Sequence, residues 1–188
     1  MSCLKLSVII TNYNKVPLIN YLINYFNRVK CEGVEIICID DHSDVLPTDL
    51  GIVNLIVNET NKGIGLVRQQ GLDISCGDYI TFVDGDDIVT EDYLTTILEA
   101  IDSKMDVYEF SSISYPYGDS DYSGMVWNKV YSREFILKNN CRFEDLIGGE
   151  DMVFNEKFYS YHPRIARIDK ILYIYNMMTD SMTHTGCL

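Results

Sequence analysis

Cationic side chains are scarce in this chain: 15 Lys and Arg stand against 28 Asp and Glu among 188 residues, a formal charge of −13 at pH 7. Nucleic-acid binding needs clustered cations against phosphates, so no nucleic-acid partner is expected. Simple electrostatic docking on an anionic membrane is disfavoured for the same reason. No apolar run approaches the roughly 18 residues that cross a bilayer. Nothing near the start reads as a signal peptide, because the apolar stretch 7–10 is short, lacks a cleavage site and leads into a polar turn. The six cysteines (Cys3, Cys31, Cys38, Cys76, Cys141, Cys187) show no CxxC spacing, which argues against a zinc or redox motif. Free thiols in a reducing, cytosolic compartment are therefore expected, with Cys38 a small buried hydrophobe. What is present is enough for a folded core: 47% of residues are hydrophobic and 12% aromatic, a composition that argues against disorder and suits one domain.

Periodicity divides residues 4–104 into alternating strands and helices. Strands are expected over 4–11, 34–39, 52–57 and 79–83, and helices over 16–29, 64–74 and 91–101. The first helix keeps Leu18, Ile19, Leu22, Phe26 and Val29 at helical spacing, with Asn14 as its cap and Pro17 in its first turn. Strand–helix alternation of this kind predicts a mostly parallel sheet covered by helices on both faces. Beyond residue 104 the pattern is less regular: a strand over 106–112, a turn-rich loop over 115–124, helices over 132–139 and 150–161, and a hairpin built from 165–169 and 172–177. No repeat, low-complexity tract or linker interrupts the chain, so a single α/β domain with two functional halves is expected.

The densest chemistry lies where strand 79–83 ends, in Asp84, Gly85, Asp86 and Asp87. Open α/β sheets place ligands at the carboxyl ends of their strands. Three carboxylates within four residues repel one another unless a cation neutralises them, and an oxygen-only ligand set suits Mg²⁺ or Mn²⁺. The plainer alternative is an acidic turn in which Asp86 or Asp87 caps the next helix. Thr11, Asn12 and Tyr13 follow the first strand, and Asp40 and Asp41 the second. An aspartate there can accept hydrogen bonds from a base N–H or a ribose hydroxyl, and Tyr13 can stack on a ring; Asn and Asp also favour ordinary turns. The Gly-rich segment 61–71 carries Lys62 and Arg68 but lacks the Walker and dinucleotide-binding spacings. Its helix can present N–H groups and Arg68 to a ligand, or Arg68 can pair with one of many local acids. Gly148-Gly149-Glu150-Asp151 forms a second acidic site, either a general base at a helix start or an acidic turn. Of the three histidines, His184 is the candidate metal ligand, while His42 and His162 read as turn or surface residues.

Taken in order, these segments resemble the family 2 glycosyltransferases of the GT-A fold. The matching stretches are Ser7-Val8-Ile9-Ile10-Thr11-Asn12-Tyr13-Asn14-Lys15, the Asp40-Asp41-His42-Ser43 turn, Asn61-Lys62-Gly63 followed by Arg68, and Gly77-Asp78-Tyr79-Ile80 running into Asp84, Asp86 and Asp87. Trp127-Asn128-Lys129 ahead of Gly149-Glu150-Asp151 completes the set, which covers essentially the whole chain. The resemblance implies a Rossmann-like sheet with a nucleotide-diphospho-sugar, commonly UDP-linked, across the carboxyl ends of the first strands. Residues 1–104 then form the donor half and 105–188 the acceptor half. Thr11 and Tyr13 border the base, Asp41 or Asp40 bonds it, and Lys62, Arg68 and Gly85 belong to the same nucleotide-sugar site. Asp84 faces the ribose or the ion. Asp86 binds the divalent Mn²⁺ or Mg²⁺ bridging the diphosphate, with Asp87 and His184 as further ligands. Asp151 is the base of an inverting displacement, Glu150 orients it or the acceptor, and Trp127 and Lys129 line the acceptor side.

The implied acceptor is a saccharide or a lipid-linked group, in the assembly of a polysaccharide or related glycan in the cytoplasm or at the inner face of the membrane. Peripheral membrane association and a homo-oligomer stay open. Thr11 stands where a proline is common, which touches the base pocket. The chain is short for the family, with no C-terminal membrane helix or extra domain in view, which leaves acceptor recognition to 115–124, to the last helices or to a partner. Two other classes compete. A non-catalytic nucleotide-sugar-binding accessory subunit would keep the acids at 84–87 and dispense with Asp151. A nucleotidyltransferase would show a Gly-rich basic loop after the first strand, and Asn12-Tyr13-Asn14-Lys15 is not one.

Overall fold

The computed structural model describes residues 4–118 and 122–177. Strand β1 (Leu6–Asn12) is buried along its whole length, as a strand covered on both faces must be. Helix α1 (Leu18–Val29), strands β2 (Val34–Asp40) and β3 (Val53–Val57), helix α2 (Ile64–Ile74) and strand β4 (Tyr79–Asp84) follow. Next come the two-residue strand β5 (Ile88–Val89), helix α3 (Tyr93–Ile101), strands β6 (Val107–Tyr115) and β7 (Lys129–Ser132), helices α4 (Arg133–Lys138) and α5 (Glu150–Tyr159), and strand β8 (Ile165–Asn176).

All eight strands form one sheet in the order β3-β2-β1-β4-β7-β6-β8-β5. The first four strands in that order run parallel, which carries the carboxyl ends of β1, β2 and β4 to one side. Strand β7 is antiparallel to both β4 and β6, β8 runs parallel to β6, and β5 is antiparallel to β8. Alternation along β1 divides the core. Leu6, Val8 and Ile10 join the cluster built from α1 and α3, and Ile9 joins one containing Leu72 of α2, Ile136 of α4 and Phe154 and Phe158 of α5.

Four local expectations change. Helix α1 begins at Leu18, and Asn14 does not cap it. Asn14 sits at φ 54° and its Oδ1 accepts from the Asp44 amide at 2.8 Å, tying the loop after β1 to the loop after β2. The expected hairpin over 165–177 is one continuous strand, β8. Its register against β6 slips between Phe110 and Ser112, so the polar pair Asp169-Lys170 marks a bulge and no turn. The strand beginning near residue 106 runs three residues further, to Tyr115, and β5 and β7 are short strands that no periodicity announces. Helix α4 keeps its expected start because the Ser132 side chain accepts from the Phe135 amide.

Candidate active site

Register places the acids. Thr11 pairs with Asp84 across β1–β4, and Asn12 with Asp40 across β1–β2. Thr11 Oγ1 donates to Asp84 Oδ1 at 2.9 Å, and Asn12 Nδ2 to Asp40 Oδ2 at 2.6 Å. Gly85 is required where it stands: a Cβ there would lie 2.7 Å from the Thr11 carbonyl oxygen and 3.1 Å from Asn12 Oδ1, so the turn after β4 could not close on β1. The Asn12 Oδ1 atom is buried without a protein partner.

Asp40 and Asp41 are both buried, and every carboxylate oxygen already accepts from the chain. Asp40 takes bonds from Asn12 Nδ2 and from the Ser43 amide and hydroxyl, each of the latter at 2.8 Å. Asp41 accepts from Asn58 Nδ2 at 2.8 Å, the Lys62 amide at 3.0 Å and the Gly63 amide at 2.9 Å. These two acids tie the loops after β1, β2 and β3 together. Tyr13 is 48% exposed, which leaves its ring open to stacking, and the Lys62 ammonium lies 3.4 Å from Gln70 Oε1 at the surface.

Arg68 gathers the acids from both halves of the chain. It projects from α2 and is 2% exposed. Its Nη2 donates to Asp84 Oδ1 and Oδ2 at 2.9 and 3.1 Å, and its Nη1 donates to Glu150 Oε1 at 2.7 Å and to Asp151 Oδ1. Gly149, at φ 79° in the left-handed region, turns the chain into α5 so that Glu150 and Asp151 start that helix against the guanidinium. The second Asp151 oxygen accepts from the Val126 amide at 3.1 Å. Burial pushes the Asp151 carboxyl up to about 7; Arg68 opposes that shift, while Asp84 and Glu150 add to it. Burial works against the Arg68 charge, but Asp151, Asp84 and Glu150 outweigh it and hold the guanidinium protonated.

Asp86 and Asp87 part company. The Asp86 Oδ2 forms a half-buried ion pair with Lys15 at 3.0 Å. Asp87 turns inward: its Oδ2 accepts from the Tyr173 hydroxyl at 2.6 Å and its Oδ1 from the Asn176 amide at 2.8 Å. Burial, with Asp84 nearby, raises the Asp87 carboxyl well above the ordinary carboxylate range. Tyr173 also accepts from the Asp84 amide at 3.1 Å, so one hydroxyl from β8 pins both ends of the acidic turn. Replacing Tyr173 with Phe strips a donor from a buried acid and is expected to cost about 1–3 kcal/mol of stability. A urea transition with an unchanged midpoint would contradict this.

Trp127 and Lys129 are interior residues. The Trp127 ring is 2% exposed and stacks on Tyr173 at 4.6 Å and Tyr175 at 5.7 Å between centroids. The Lys129 ammonium donates to the Ser123 and Met125 carbonyls and to Asn128 Oδ1, at 2.9, 2.7 and 2.7 Å. Both hold segment 122–129, including the Val126 amide that meets Asp151. His184 lies outside the described residues. Among the described residues no three His, Cys, Asp or Glu side chains converge as a ready metal cage, and no helix is long and apolar enough to cross a membrane. Sequence reasoning left out Tyr173, Asn176 and Lys15 as site residues; only Lys15, in the loop after the first strand, carried a local signal.

The sequence profile described as Glycosyl transferase family 2 matches residues 7–161. The uncharacterized glycosyltransferase EpsJ of Bacillus subtilis is 26% identical over 216 residues, an alignment spanning 94% of this chain and 62% of that protein. This chain therefore spans about three fifths of such a relative. Among solved structures, Staphylococcus aureus TarS 1-349 in complex with UDP-GlcNAc superposes with a TM-score of 0.84 at 22% identity, over 98% of this chain and 62% of that one. The mannosyltransferase PcManGT of Pyrobaculum calidifontis, in complex with GDP-Man and Mn²⁺, superposes with a TM-score of 0.68 at 16% identity, over 90% of this chain and 56% of that one. The fold is thus of the GT-A type.

Proposed function

The chain belongs to glycosyl transferase family 2, and from that premise we propose that it moves a sugar from a UDP-linked donor to an acceptor hydroxyl with inversion at the anomeric carbon. The observation that carries this reading is the shared guanidinium: Arg68 holds Asp84, at the strand end where a donor lies, and Asp151, a carboxylate set to accept a proton, in one site. Asp151 takes the acceptor hydroxyl proton. The freed oxygen forms its bond to the anomeric carbon as the bond to the UDP oxygen breaks, and a single displacement inverts the centre. Glu150 orients the acceptor side. Thr11 and Tyr13 border the base, with Tyr13 stacking on it, while Asp40, Asp41, Lys62 and Gly85 shape the loops that receive the nucleotide. The kinship in fold with TarS, described with UDP-GlcNAc, supports uracil as the base.

The donor set also bears on a divalent cation. Among the described residues, the ion pairs of the site set Arg68 and Lys15 against Asp84, Asp86, Glu150 and Asp151. That excess of negative charge fits an added cation, and Mg²⁺ or Mn²⁺ commonly binds through one or two carboxylates plus substrate phosphates. Asp86 is the acid placed to hold it; Asp87, with both oxygens engaged inward, keeps the turn in shape. When bound, such an ion neutralises the charge growing on the departing diphosphate. Residues 1–104 serve as the donor half and 105–188 as the acceptor half, and the acceptor is a glycan under assembly, saccharide or lipid-linked.

Calorimetry with UDP, GDP, CDP and dTDP, with and without Mn²⁺, tests the reading on the unaltered protein and on Asp86→Ala. UDP is expected to bind selectively, Mn²⁺ to strengthen it, and Asp86→Ala to weaken the Mn²⁺-dependent part at least about tenfold, the loss expected when a charged ligand to a bound cation is removed. Binding of no nucleotide would sink the proposal. Tight UDP binding with no turnover on any UDP-sugar would mark a non-catalytic accessory module instead.

A further inference from the structure

We infer that Arg68 is the positioning residue of the base: it clamps Asp151 to the end of β4 and sets how readily that carboxylate takes up a proton. The inference rests on the reading of Asp151 as the base, and it moves Arg68 out of the nucleotide contacts that its Gly-rich segment suggests. Both Nη atoms are spent on the chain's own carboxylates, and the side chain is 2% exposed, so the guanidinium offers no open face to a donor. Its Nε is buried without a partner. A buried, unpaired N–H is costly, and here it is tolerated because three carboxylates from two distant segments converge on the same cation.

The geometry explains what such a cation does for the base. Asp151 faces Arg68 from α2, Asp84 from β4, Glu150 from its own helix and Tyr131 from β7, and it accepts from the Val126 amide. Of these groups only Arg68 is positive. Arginine stays protonated throughout the working range, so its charge is constant while Asp151 titrates. Without it, Asp151 faces Asp84 and Glu150 uncompensated, and taking up a proton relieves the repulsion. Lysine cannot reproduce the fork, because an ammonium is a point charge on a flexible stem.

The test compares Arg68→Gln and Arg68→Lys with the unaltered protein, reading the pH profile of kcat/KM on a UDP-sugar and the UDP dissociation constant by calorimetry. Arg68→Gln is expected to move the acid limb upward by about one unit or more, with UDP affinity held within about threefold, and Arg68→Lys to fall between. An unmoved acid limb, or a loss of UDP affinity beyond about tenfold, would overturn the inference, the latter making Arg68 a donor contact. Should Arg68→Gln fail to fold, Arg68→Lys decides: it keeps a positive charge but loses the fork that holds both acids, and a limb that does not move upward overturns the inference. Asp151→Asn separates the two levels. If that variant keeps full turnover, the reading of Asp151 as the base fails first. If it is inactive while the Arg68→Gln limb stays in place, the inference about Arg68 fails alone.

Discussion

Asp151→Asn is expected to lower kcat by about a thousandfold while UDP binds within about threefold of the unaltered protein. A positioned general base contributes roughly 10²–10⁴ in rate, and an amide of the same shape cannot accept the proton. The substitution keeps the helix start, because Gly149 sets the turn into α5 and an amide oxygen can still accept from the Val126 amide. The donor side is left in place: Thr11 on Asp84, Asn12 on Asp40 and Asp41 on the 58–63 loop make no use of Asp151. Steady-state rates on a UDP-sugar, set beside UDP calorimetry, check both halves of the expectation. Turnover at the original rate would remove the base assignment.

The pH dependence follows from the same carboxylate. Burial, offset by Arg68 and reinforced by Asp84 and Glu150, places the Asp151 transition at about 7. If Asp151 is the base, its protonated form cannot take a proton from the acceptor, and kcat/KM is expected to fall about tenfold per pH unit below that value, or about a hundredfold two units down. The sign for stability is opposite. A folded-state value raised above the ordinary 3.8 means that this group's contribution is full below 3.8 and lost as pH rises through about 7. Activity and this one stability term therefore move against each other between pH 4 and 7. A pH–rate profile with its acid limb in the ordinary carboxylate range would contradict the assignment.

Local patterning carried residues 4–104 well. Helix α2 occupies 64–74 as its spacing predicts, β2 and β4 end in their acids, and the parallel register brings Thr11, Asp40 and Asp84 to one edge. Such features depend on neighbours within a few residues and on the side-chain period. What escaped depends on partners far along the chain. Asp87 faces inward because Tyr173 and Asn176, nearly ninety residues on, occupy its oxygens. Trp127 looked like an open aromatic face until β8 supplied the two tyrosines that sandwich it into the core. Arg68 had several acids within reach in sequence terms, and only the fold selected Asp84, Glu150 and Asp151. The apparent hairpin at 165–177 failed on a related point: a polar pair inside an apolar run marks a turn and a bulge alike, and pairing with β6 decides between them.

The most direct measurement follows, by proton NMR, the anomer released when the protein hydrolyses an α-linked UDP-sugar in the presence of Mn²⁺, for the unaltered chain and for Asp151→Asn. Water then stands in for the acceptor hydroxyl. The account predicts that the β anomer of the sugar appears first, ahead of mutarotation, and that Asp151→Asn releases sugar at a rate lower by orders of magnitude. The α anomer appearing first, or equal rates in the two proteins, would contradict an inverting displacement driven by Asp151.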